Sequence, residues 1–422
     1  MKIADDHTAP ESFYRWQRLW PIFFVALIFF LTFIARTALS PLMPSIEAEL
    51  NISHSQAGML FFVLAGGYFV AMMGSGFVSA RLTHRYTIAL AAVLVGLVLL
   101  VLAASRGLWP VRAAVFFLGM AAGLYLPSGI TTLTDMVEAR HWGKAVSIHE
   151  LAPNLGFVAA PLLAELLMLW FSWRTVLAVI GGVTIVIGLF FARFSRWGCF
   201  PGQPPRPAAV KAIFARKSFW LMVILFGLAI SSTMGIYNML PLYLTGEIGI
   251  SRRMANTLMA FSRIAGLVTA LLSGWATDRF GARRTIISAF LLTGAATALM
   301  GLLAEPGWVI LLVFLQAVLS TIYFPAGFTA LSSLFSVDIR NVAIAFTIPL
   351  AFLFGSGLIP AMIGFFGDAG SFSMGVTTTG GLILGGALLA LCLRFTAVPG
   401  PVAEPVPTLR SEGSCPGRQK KR

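Results

Sequence analysis

The heptad Tyr125-Leu126-Pro127-Ser128-Gly129-Ile130-Thr131 recurs 198 residues later as Tyr323-Phe324-Pro325-Ala326-Gly327-Phe328-Thr329. Four of the seven positions are identical, and both copies close a long apolar run. A long-range repeat of this kind is typical of chains built from two related halves that pack against each other. We therefore expect a duplicated chain, with its working site where the halves meet.

The correspondence continues on both sides of the heptad at nearly the same offset. The matching pairs are Gly76 and Gly274, Glu138 and Asp338, Arg140 and Arg340, Gly156 and Gly355, and Pro161 and Pro360. A chance match of seven residues would not keep its register over such a distance. The duplication therefore covers most of the chain.

The composition excludes a soluble globular protein. Charged residues make up 11% of the chain and hydrophobic residues 58%, against about 25% and 45–50% in soluble domains. Apolar segments of about 20 residues recur along the sequence, and each is long enough to cross the ~30 Å hydrocarbon core as a helix. The sequence therefore predicts a polytopic membrane protein.

Twelve apolar segments can be counted, six on each side of a proline-rich, basic linker at residues 195–217. Because proline and basic charge resist helix formation and membrane crossing, we interpret this linker as a cytoplasmic tether. The predicted fold is an all-α integral membrane bundle of twelve transmembrane helices in two pseudo-symmetric six-helix halves. The expected divisions are a cytoplasmic N-terminus at 1–19, halves at 20–194 and 218–396, and a cytoplasmic tail at 397–422.

The net charge of +14 follows from topology and does not require nucleic acid as a partner. About 23 of the 30 lysines and arginines lie on the side that holds both termini, and about 5 lie on the other side. The positive-inside rule then places both termini in the cytoplasm. The short outer loops indicate a bacterial inner (plasma) membrane protein.

The turn after the eighth span reads Gly274-Trp275-Ala276-Thr277-Asp278-Arg279-Phe280-Gly281-Ala282-Arg283-Arg284. It resembles the G-x-x-x-D-R-x-G-x-[RK]-[RK] loop signature of the major facilitator superfamily. The resemblance implies a monomeric alternating-access transporter, and it implies a gating loop that includes Gly274, Asp278, Arg279, Gly281 and Arg283. Asp278 is expected to cap a neighbouring helix and to pair with arginine, as a latch on the cytoplasmic side.

The copy of this loop after the second span is degenerate. It reads Gly76-x-x-x-Ala80-Arg81-x-Thr83-His84-Arg85, with alanine in place of the acidic residue. We include Arg81 and Arg85 in the predicted gating loop. The missing carboxylate predicts a weaker latch in the first half.

A narrower likeness appears in the first span, which contains Arg36-x-x-Leu39-Ser40-x-x-x-Pro44. This pattern is similar to the anion:cation symporter and organophosphate antiporter branches, whose first span carries an arginine shortly before a proline. In those relatives the arginine contacts an anionic substrate. The resemblance therefore implies that Arg36 binds an anion.

Two arginines, Arg36 and Arg263, lie inside predicted spans, where ionisable residues are costly and usually functional. The sequence contains no G-x-x-x-x-G-K-[ST] phosphate-binding loop, so we expect transport to use an ion gradient and not ATP. A guanidinium group stays charged when buried and can grip a carboxylate through two parallel hydrogen bonds. The alternatives are a structural salt bridge or carbonyl contact at Arg36, and an ion pair of Arg263 with Glu150.

His149 and Glu150, in the fifth span, are the predicted proton-coupling residues. The duplication places Pro349 and Leu350 at the equivalent positions, so the symmetry of the fold does not explain the polar pair. A carboxyl group in a low dielectric and a histidine near neutral pH can both exchange protons. The alternatives are a static ion pair of Glu150 and a hydrogen bond from His149 to a backbone carbonyl.

Five further polar residues complete the predicted substrate site: Tyr125, Asn154, Tyr237, Asn238 and Tyr323. Asn154 lies one turn from Glu150, on the same helical face. The heptad tyrosines and the residues before Pro241 suit a cavity wall, but they also suit helix packing. Both roles stay open from sequence alone.

The sequence therefore predicts a secondary active transporter and not an enzyme, with no cofactor and no metal site. The sharper hypothesis is proton-coupled uptake of a small organic anion, a carboxylate, with protons and the lipid bilayer as the other partners. The alternatives are a proton-driven exporter of lipophilic or cationic compounds and an exchanger of two anions. A receptor is disfavoured, because the sequence has no cytoplasmic module large enough to relay a signal.

Overall fold

The structure is a computed structural model that describes residues 16–138, 141–204, 206–303 and 305–393. Within these ranges the secondary structure is helical. The predicted cytoplasmic tail at 397–422, most of the predicted N-terminal segment at 1–19 and Arg140 lie outside the described residues.

In the described part of the first half, eight helices form six membrane-length units. They are α1 (Trp16–Thr37), α2 (Leu39–Leu50), α3 (His54–Leu82), α4 (His84–Ala104), α5 (Leu108–Gly123), α6 (Tyr125–Asp135), α7 (Trp142–Met168) and α8 (Trp173–Phe194). The first unit consists of α1 and α2, and the fourth consists of α5 and α6. Both copies of the heptad begin a helix, since Tyr125 is the first residue of α6 and Tyr323 is the first residue of α15.

The second half repeats the arrangement after the short linker helix α9 (Pro207–Phe214). Its helices are α10 (Lys217–Ile230), α11 (Ile236–Gly246), α12 (Arg252–Phe280), α13 (Ala282–Leu302), α14 (Pro306–Leu319), α15 (Tyr323–Leu334), α16 (Val337–Phe352), α17 (Ile359–Asp368) and α18 (Phe372–Ala390). Two π-helical segments, Ser231–Gly235 and Leu353–Leu358, connect α10 to α11 and α16 to α17.

Eleven helical stretches of the described chain are long and apolar enough to cross a membrane. The remaining membrane-length unit is α12, whose 29 residues exceed the roughly 20 that a span requires. The pairings of the halves also match, since α4 packs on α8 and α3 on α5, while α13 packs on α18 and α12 on α14. The predicted all-α bundle of two related halves is therefore confirmed.

The linker is more ordered than a simple tether. Residues 207–214 form a helix, because Pro207 occupies its first turn, where a missing amide and a fixed φ are well tolerated. The backbone carbonyls of Gly198 and Phe200 accept hydrogen bonds from the amides of Arg85 and His84, at 2.8 and 3.2 Å. The beginning of the linker is thus bound to the turn between α3 and α4.

The two halves are joined at the end of the bundle opposite this linker, which we call the far end. There Asp368, the last residue of α17, accepts hydrogen bonds from the amides of His54 and Ser55 and from the hydroxyl of Ser53, at 2.8, 3.1 and 2.8 Å. A carboxylate at a helix N-terminus is favourable, because it satisfies unpaired amides and complements the helix dipole. One half therefore caps the α3 helix of the other.

A second far-end contact is centred on Glu165 of α7. Its carboxylate accepts a hydrogen bond from Asn256 Nδ2 at 2.6 Å and pairs with Arg252 of α12 at 3.1 Å. Hydrogen bonds and ion pairs between the halves, within the described ranges, involve the far end or the middle of the bundle. At the linker end, α6 and α15 pack on elements of their own half. This arrangement is closed at the far end.

Candidate functional site

Arg36 lies at the middle of the interface between the halves, near the end of α1. Its side chain is only 8% exposed. The guanidinium carbon lies over three aromatic rings, at 4.6 Å from the centroid of Tyr68, 5.3 Å from Phe33 and 5.5 Å from Phe352. Phe352 belongs to the second half, so residues of both halves form this aromatic cage.

Within the described residues, Arg36 has no carboxylate partner, and its Nε atom has no hydrogen-bond partner. Contact with aromatic faces is worth about 2 kcal/mol or more per desolvated cation. The effective penalty for burying an unpaired ion is several kcal/mol. The cage therefore leaves the Nε donor of a buried cation unsatisfied, which is the arrangement that an anion would complete. Of the two alternatives for Arg36, neither a salt bridge nor a carbonyl contact is found among the described residues.

Arg263 approaches the same region from the opposite half, in the middle of α12. It is also 8% exposed, and one of its terminal nitrogens donates to the carbonyl of Thr233 at 2.8 Å. Its guanidinium carbon lies 4.8 Å from the ring centroid of Phe157 and 5.4 Å from that of Tyr237. The alternative ion pair with Glu150 is not found in this structure.

A continuous series of rings connects the surroundings of the two arginines. Phe33 packs edge-on against Phe157 at 5.0 Å between centroids, and Phe157 packs edge-on against Tyr237 at 4.9 Å. The Tyr237 hydroxyl donates to the carbonyl of Phe157 at 3.3 Å. The two arginines therefore contact one connected group of rings, the aromatic wall, to which both halves contribute.

The π-helical segments supply the polar backbone of this region. A π turn replaces the usual i→i+4 bonds by i→i+5 bonds and is often found at functional sites. Arg263 bonds to the carbonyl of Thr233 within the first segment, and Gln316 Nε2 bonds to the carbonyl of Ser232 at 2.6 Å. Asn238 Nδ2 bonds to the carbonyl of Ser356 in the second segment at 3.2 Å. Asn238 and Gln316 thus hold the π segments.

His149 is completely buried against α1 and α6. Its ring stacks on Phe29 with centroids 4.4 Å apart, and its Nε2 atom lies 2.9 Å from the Tyr125 hydroxyl. That hydroxyl also donates to the carbonyl of Val25 at 2.8 Å. On the other side of the ring, Nδ1 lies 3.3 Å from Glu150 Oε1.

Glu150 differs from His149 in its exposure, since its side chain is 48% exposed. Glu150, Asn154 and Phe157 follow i, i+4, i+7 spacing, so they share one face of α7. Because Phe157 contacts Arg263 and Tyr237, this face is directed towards the second half. The amide of Asn154 donates to the backbone carbonyl of Glu150 at 2.8 Å.

The heptad tyrosines have a shared packing role. A Cβ atom at Gly129 would lie 2.8 Å from the ring of Tyr125, and one at Gly327 would lie 2.5 Å from the ring of Tyr323. Each tyrosine therefore folds over the glycine one turn later, which explains why the heptad keeps both residue types. Tyr323 packs against Phe226, and its hydroxyl has no partner within the described chain.

The predicted gating loops have the same geometry in both halves. Arg283 donates to the carbonyl of Leu391, after the end of α18, at 2.5 Å, and Arg85 makes the equivalent bond to the carbonyl of Ala192 near the end of α8. These contacts secure the last helix of each half. Of the other predicted gating residues, Arg81, Asp278 and Arg279 are exposed, and Gly274 lies within α12.

The latch predicted for Asp278 is not formed in this conformation. Its carboxylate has neither an ion pair nor a helix-capping bond within the described residues, and the first residue of the next helix follows the glycine cap Gly281. Asp278 lies at the linker end, whereas the hydrogen bonds of Asp368 and Glu165 that join the halves lie at the far end.

Thr83 and Gly281 occupy equivalent positions in the two loops. Gly281 has φ +84°, and Thr83 has φ +74° with ψ 160°. This backbone region is essentially restricted to glycine and costs other residues about 1–3 kcal/mol. The degenerate first loop therefore carries backbone strain as well as lacking the acidic residue.

Thr83→Gly is expected to stabilise the protein by about 1–3 kcal/mol, because it releases this strain. The Thr83 hydroxyl has no hydrogen-bond partner among the described residues, so its removal loses no polar contact. The measurement is the melting temperature of the purified protein in detergent. Gly281→Thr is the matched control and should lower that temperature; an unchanged temperature in Thr83→Gly would contradict the strain.

Comparison with known proteins identifies the family. A family model described as Major Facilitator Superfamily matches residues 25–246 and 222–412. The chain is 25% identical over 350 residues to the cis,cis-muconate transport protein of Acinetobacter baylyi, covering 80% of this chain and 84% of that protein. It is 24% identical over 371 residues to the multidrug resistance protein MdtL of Escherichia coli, covering 86% and 91%.

Among solved structures, the chain resembles a bacterial homolog to the human lysosomal transporter Spinster in an inward-facing and occupied conformation. The TM-score is 0.77 at 15% sequence identity, and the match covers 90% of this chain and 97% of that one. At this identity the similarity shows the fold alone.

Proposed function

Since this chain belongs to the Major Facilitator Superfamily, and is a multi-pass membrane transporter of small molecules and not an enzyme, we propose that it takes up a small organic anion with protons. Transport follows alternating access, in which one half rocks against the other around a site at the middle of the bundle. The proposed orientation places both termini and the linker in the cytoplasm of a bacterial cell, with the protein acting as a monomer.

The observation that carries the proposal is the unpaired guanidinium of Arg36 at the interface of the halves. It is a buried cation with aromatic neighbours, and no carboxylate is bonded to it among the described residues. Arg263 adds a second cation from the other half, whose polar partner among the described residues is the backbone carbonyl of Thr233. An anion between them satisfies both charges and connects the halves.

The aromatic wall between the arginines favours an anion with a flat, unsaturated body. Phe33, Phe157 and Tyr237 offer ring faces and edges, and such surfaces pack well against planar groups. The carboxylate would bind at an arginine, and the body would lie along the wall. A relative named for transport of muconate, an organic anion, supports this substrate class.

For the coupling ion we propose a proton carried by Glu150 and His149. Glu150 is on the face of α7 that is directed towards the second half. The ring of Tyr68 covers Arg36, with 4.6 Å between the guanidinium carbon and the ring centroid. Arg36 and Glu150 both lie at the interface of the halves, so we propose that the charge of an anion bound at Arg36 favours protonation of Glu150.

A second candidate function is proton-driven export of lipophilic or cationic compounds, which the similarity to MdtL favours. The two buried arginines argue against it, because a site for cations should contain acidic residues. An exchanger of two anions is the third candidate. It would keep the arginine site and use Glu150 only as a structural residue.

The experiment that tests the proposal measures the melting temperature of the purified protein with a panel of ligands. Planar aromatic and unsaturated carboxylates should raise the melting temperature, whereas matched amides and cations should not. Stabilisation only by cations or lipophilic compounds would support the exporter.

Vesicles that contain the protein then separate the remaining candidates. Adding the stabilising anion outside should make the external solution more alkaline if anion and proton enter together. An exporter gives acidification instead, and an anion exchanger leaves the external pH unchanged.

A further inference from the structure

Resting on the proposed proton coupling, we infer that His149 and Glu150 hold one proton between them, and that Tyr125 is the positioning residue that enforces this. Tyr125 does so by fixing which nitrogen of His149 carries a hydrogen.

The Tyr125 hydroxyl has a single hydrogen to donate. It lies 2.8 Å from the carbonyl oxygen of Val25, and a carbonyl can only accept. The hydroxyl hydrogen is therefore used there. The 2.9 Å contact with His149 Nε2 then requires that Nε2 be the donor. His149 consequently carries a hydrogen on Nε2.

The other ring nitrogen of His149, Nδ1, faces Glu150. A neutral imidazole with its hydrogen on Nε2 presents a lone pair at Nδ1. Nδ1 lies 3.3 Å from Glu150 Oε1, so an ionised carboxylate would place two lone pairs against each other. One added proton removes this repulsion. It yields either an imidazolium that donates to the carboxylate, or a protonated carboxyl that donates to neutral imidazole.

The proton count is the same in both forms. Uptake adds one proton from water to the pair, and release returns it to water and leaves a neutral His149 beside an ionised Glu150. The route is through Glu150, because its side chain is 48% exposed whereas that of His149 is 0% exposed. The discharged form is destabilised by the opposed lone pairs, which makes proton binding favourable.

The packing around His149 keeps the ring in this orientation. Phe29 stacks on it with an interplanar angle of 10°, and the Tyr125 ring is parallel to it within 5°. The titratable or charged groups facing the pair are Tyr125 on α6 and Tyr68 on α3, with Arg36 on α1 beyond Tyr68. Arg263 on α12 contacts α7 two turns later, at Phe157.

The second half shows that the hydrogen-bond chain is not a property of the repeated heptad. Tyr323 is equivalent to Tyr125 and is equally buried, but its hydroxyl has no partner among the described residues. The position equivalent to His149 is Pro349, which has no titratable group. Tyr323→Phe is therefore a matched control for Tyr125→Phe, since both variants lose one buried hydroxyl at equivalent places.

The experiment determines the tautomer of His149 by nuclear magnetic resonance of the full-length protein labelled with 15N-histidine. The chain contains five histidines, so signals absent from His149→Gln can be assigned to His149. In the wild type, Nε2 should carry a hydrogen at every pH at which the protein is folded. Tyr125→Phe should add a population with hydrogen on Nδ1 alone, while Tyr323→Phe should match the wild type.

A wild-type His149 without hydrogen on Nε2 would overturn the inference, as would an unchanged tautomer in Tyr125→Phe. The wild-type spectrum alone decides the first point, even if the Tyr125→Phe variant does not fold. In vesicles, the ratio of pH-gradient-driven accumulation to substrate counterflow should fall at least tenfold in Tyr125→Phe. An unchanged ratio contradicts the positioning role.

The spectral measurement contains no substrate, so it is independent of the proposed anion site. If no carboxylate binds, the proposed substrate class is rejected, but the tautomer of His149 can still be determined. A correct tautomer in a protein that moves no protons would reject proton coupling, and with it the use of this pair as a carrier.

Discussion

Arg36→Gln is expected to weaken binding of the transported anion roughly 30-fold or more. Truncating one partner of a buried, hydrogen-bonded charge pair costs about 2–5 kcal/mol, and each 1.4 kcal/mol is about a tenfold change in Kd. Arg36 is the cation of the aromatic cage and has no carboxylate partner among the described residues, so its loss removes the charged donor that the first half contributes to the proposed site. The measurement is ligand-induced stabilisation of the purified protein, followed by uptake into vesicles.

The same variant should be at least as stable as the wild type when no ligand is present. A buried cation without a counterion destabilises the folded protein, so replacing it with a neutral side chain relieves that cost. A purely structural arginine predicts the opposite result, because its loss would lower the melting temperature. The combination of retained stability and lost binding is therefore specific to a substrate role.

Two further variants serve as controls for the loss of anion binding. Arg36→Lys keeps the charge but lacks the planar fork that binds a carboxylate through two bonds, so it should recover only part of the affinity. Arg106→Gln removes an exposed arginine at the far end and should bind the anion like the wild type. Normal anion binding and transport by Arg36→Gln would reject the site.

The fold could be predicted from the sequence because its signals are local or repeated. The span count follows from runs of apolar residues, and the two halves follow from a heptad whose tyrosine and glycine must meet one turn apart. Arg36 and Arg263 could be recognised because charge is rare in such spans. These inferences require no knowledge of which helices are neighbours.

The details of the site could not be predicted, because they depend on contacts between distant residues. Phe352 reaches Arg36 only because α16 packs against α3 across the interface of the halves. The π segments were also missed, since the sequence of Ser231–Gly235 has no pattern that distinguishes it from an α-helix. The carbonyl that Arg263 uses is therefore visible only in the structure.

The sequence also predicted an ion pair between Arg263 and Glu150 as an alternative, and the structure favours a different arrangement. Glu150 contacts its neighbour His149, while Arg263 donates to Thr233. The residues of the proposed anion site and those of the proposed proton site therefore form separate groups of contacts. Separate sites that share an interface can influence each other through the movement of the halves.

Glu150→Gln is expected to uncouple transport from the proton gradient. Glutamine is neutral like the protonated carboxyl, and its amide can donate to His149 Nδ1, so the pair no longer needs a proton. Substrate exchange between two sides at equal concentration should continue, because it requires no net proton release. Accumulation driven by a pH gradient should fall at least tenfold, since a carrier that cannot release its proton gains nothing from the gradient.

The measurement compares counterflow with gradient-driven uptake in the same vesicles. Glu305→Gln is the matched control, because it neutralises an exposed carboxylate in a loop and should keep both activities. If Glu150→Gln still accumulates the anion against its gradient, the proton is carried elsewhere. Loss of both counterflow and accumulation would instead make Glu150 a structural residue, which is the role that the exchanger hypothesis assigns to it, or a residue that contacts the substrate.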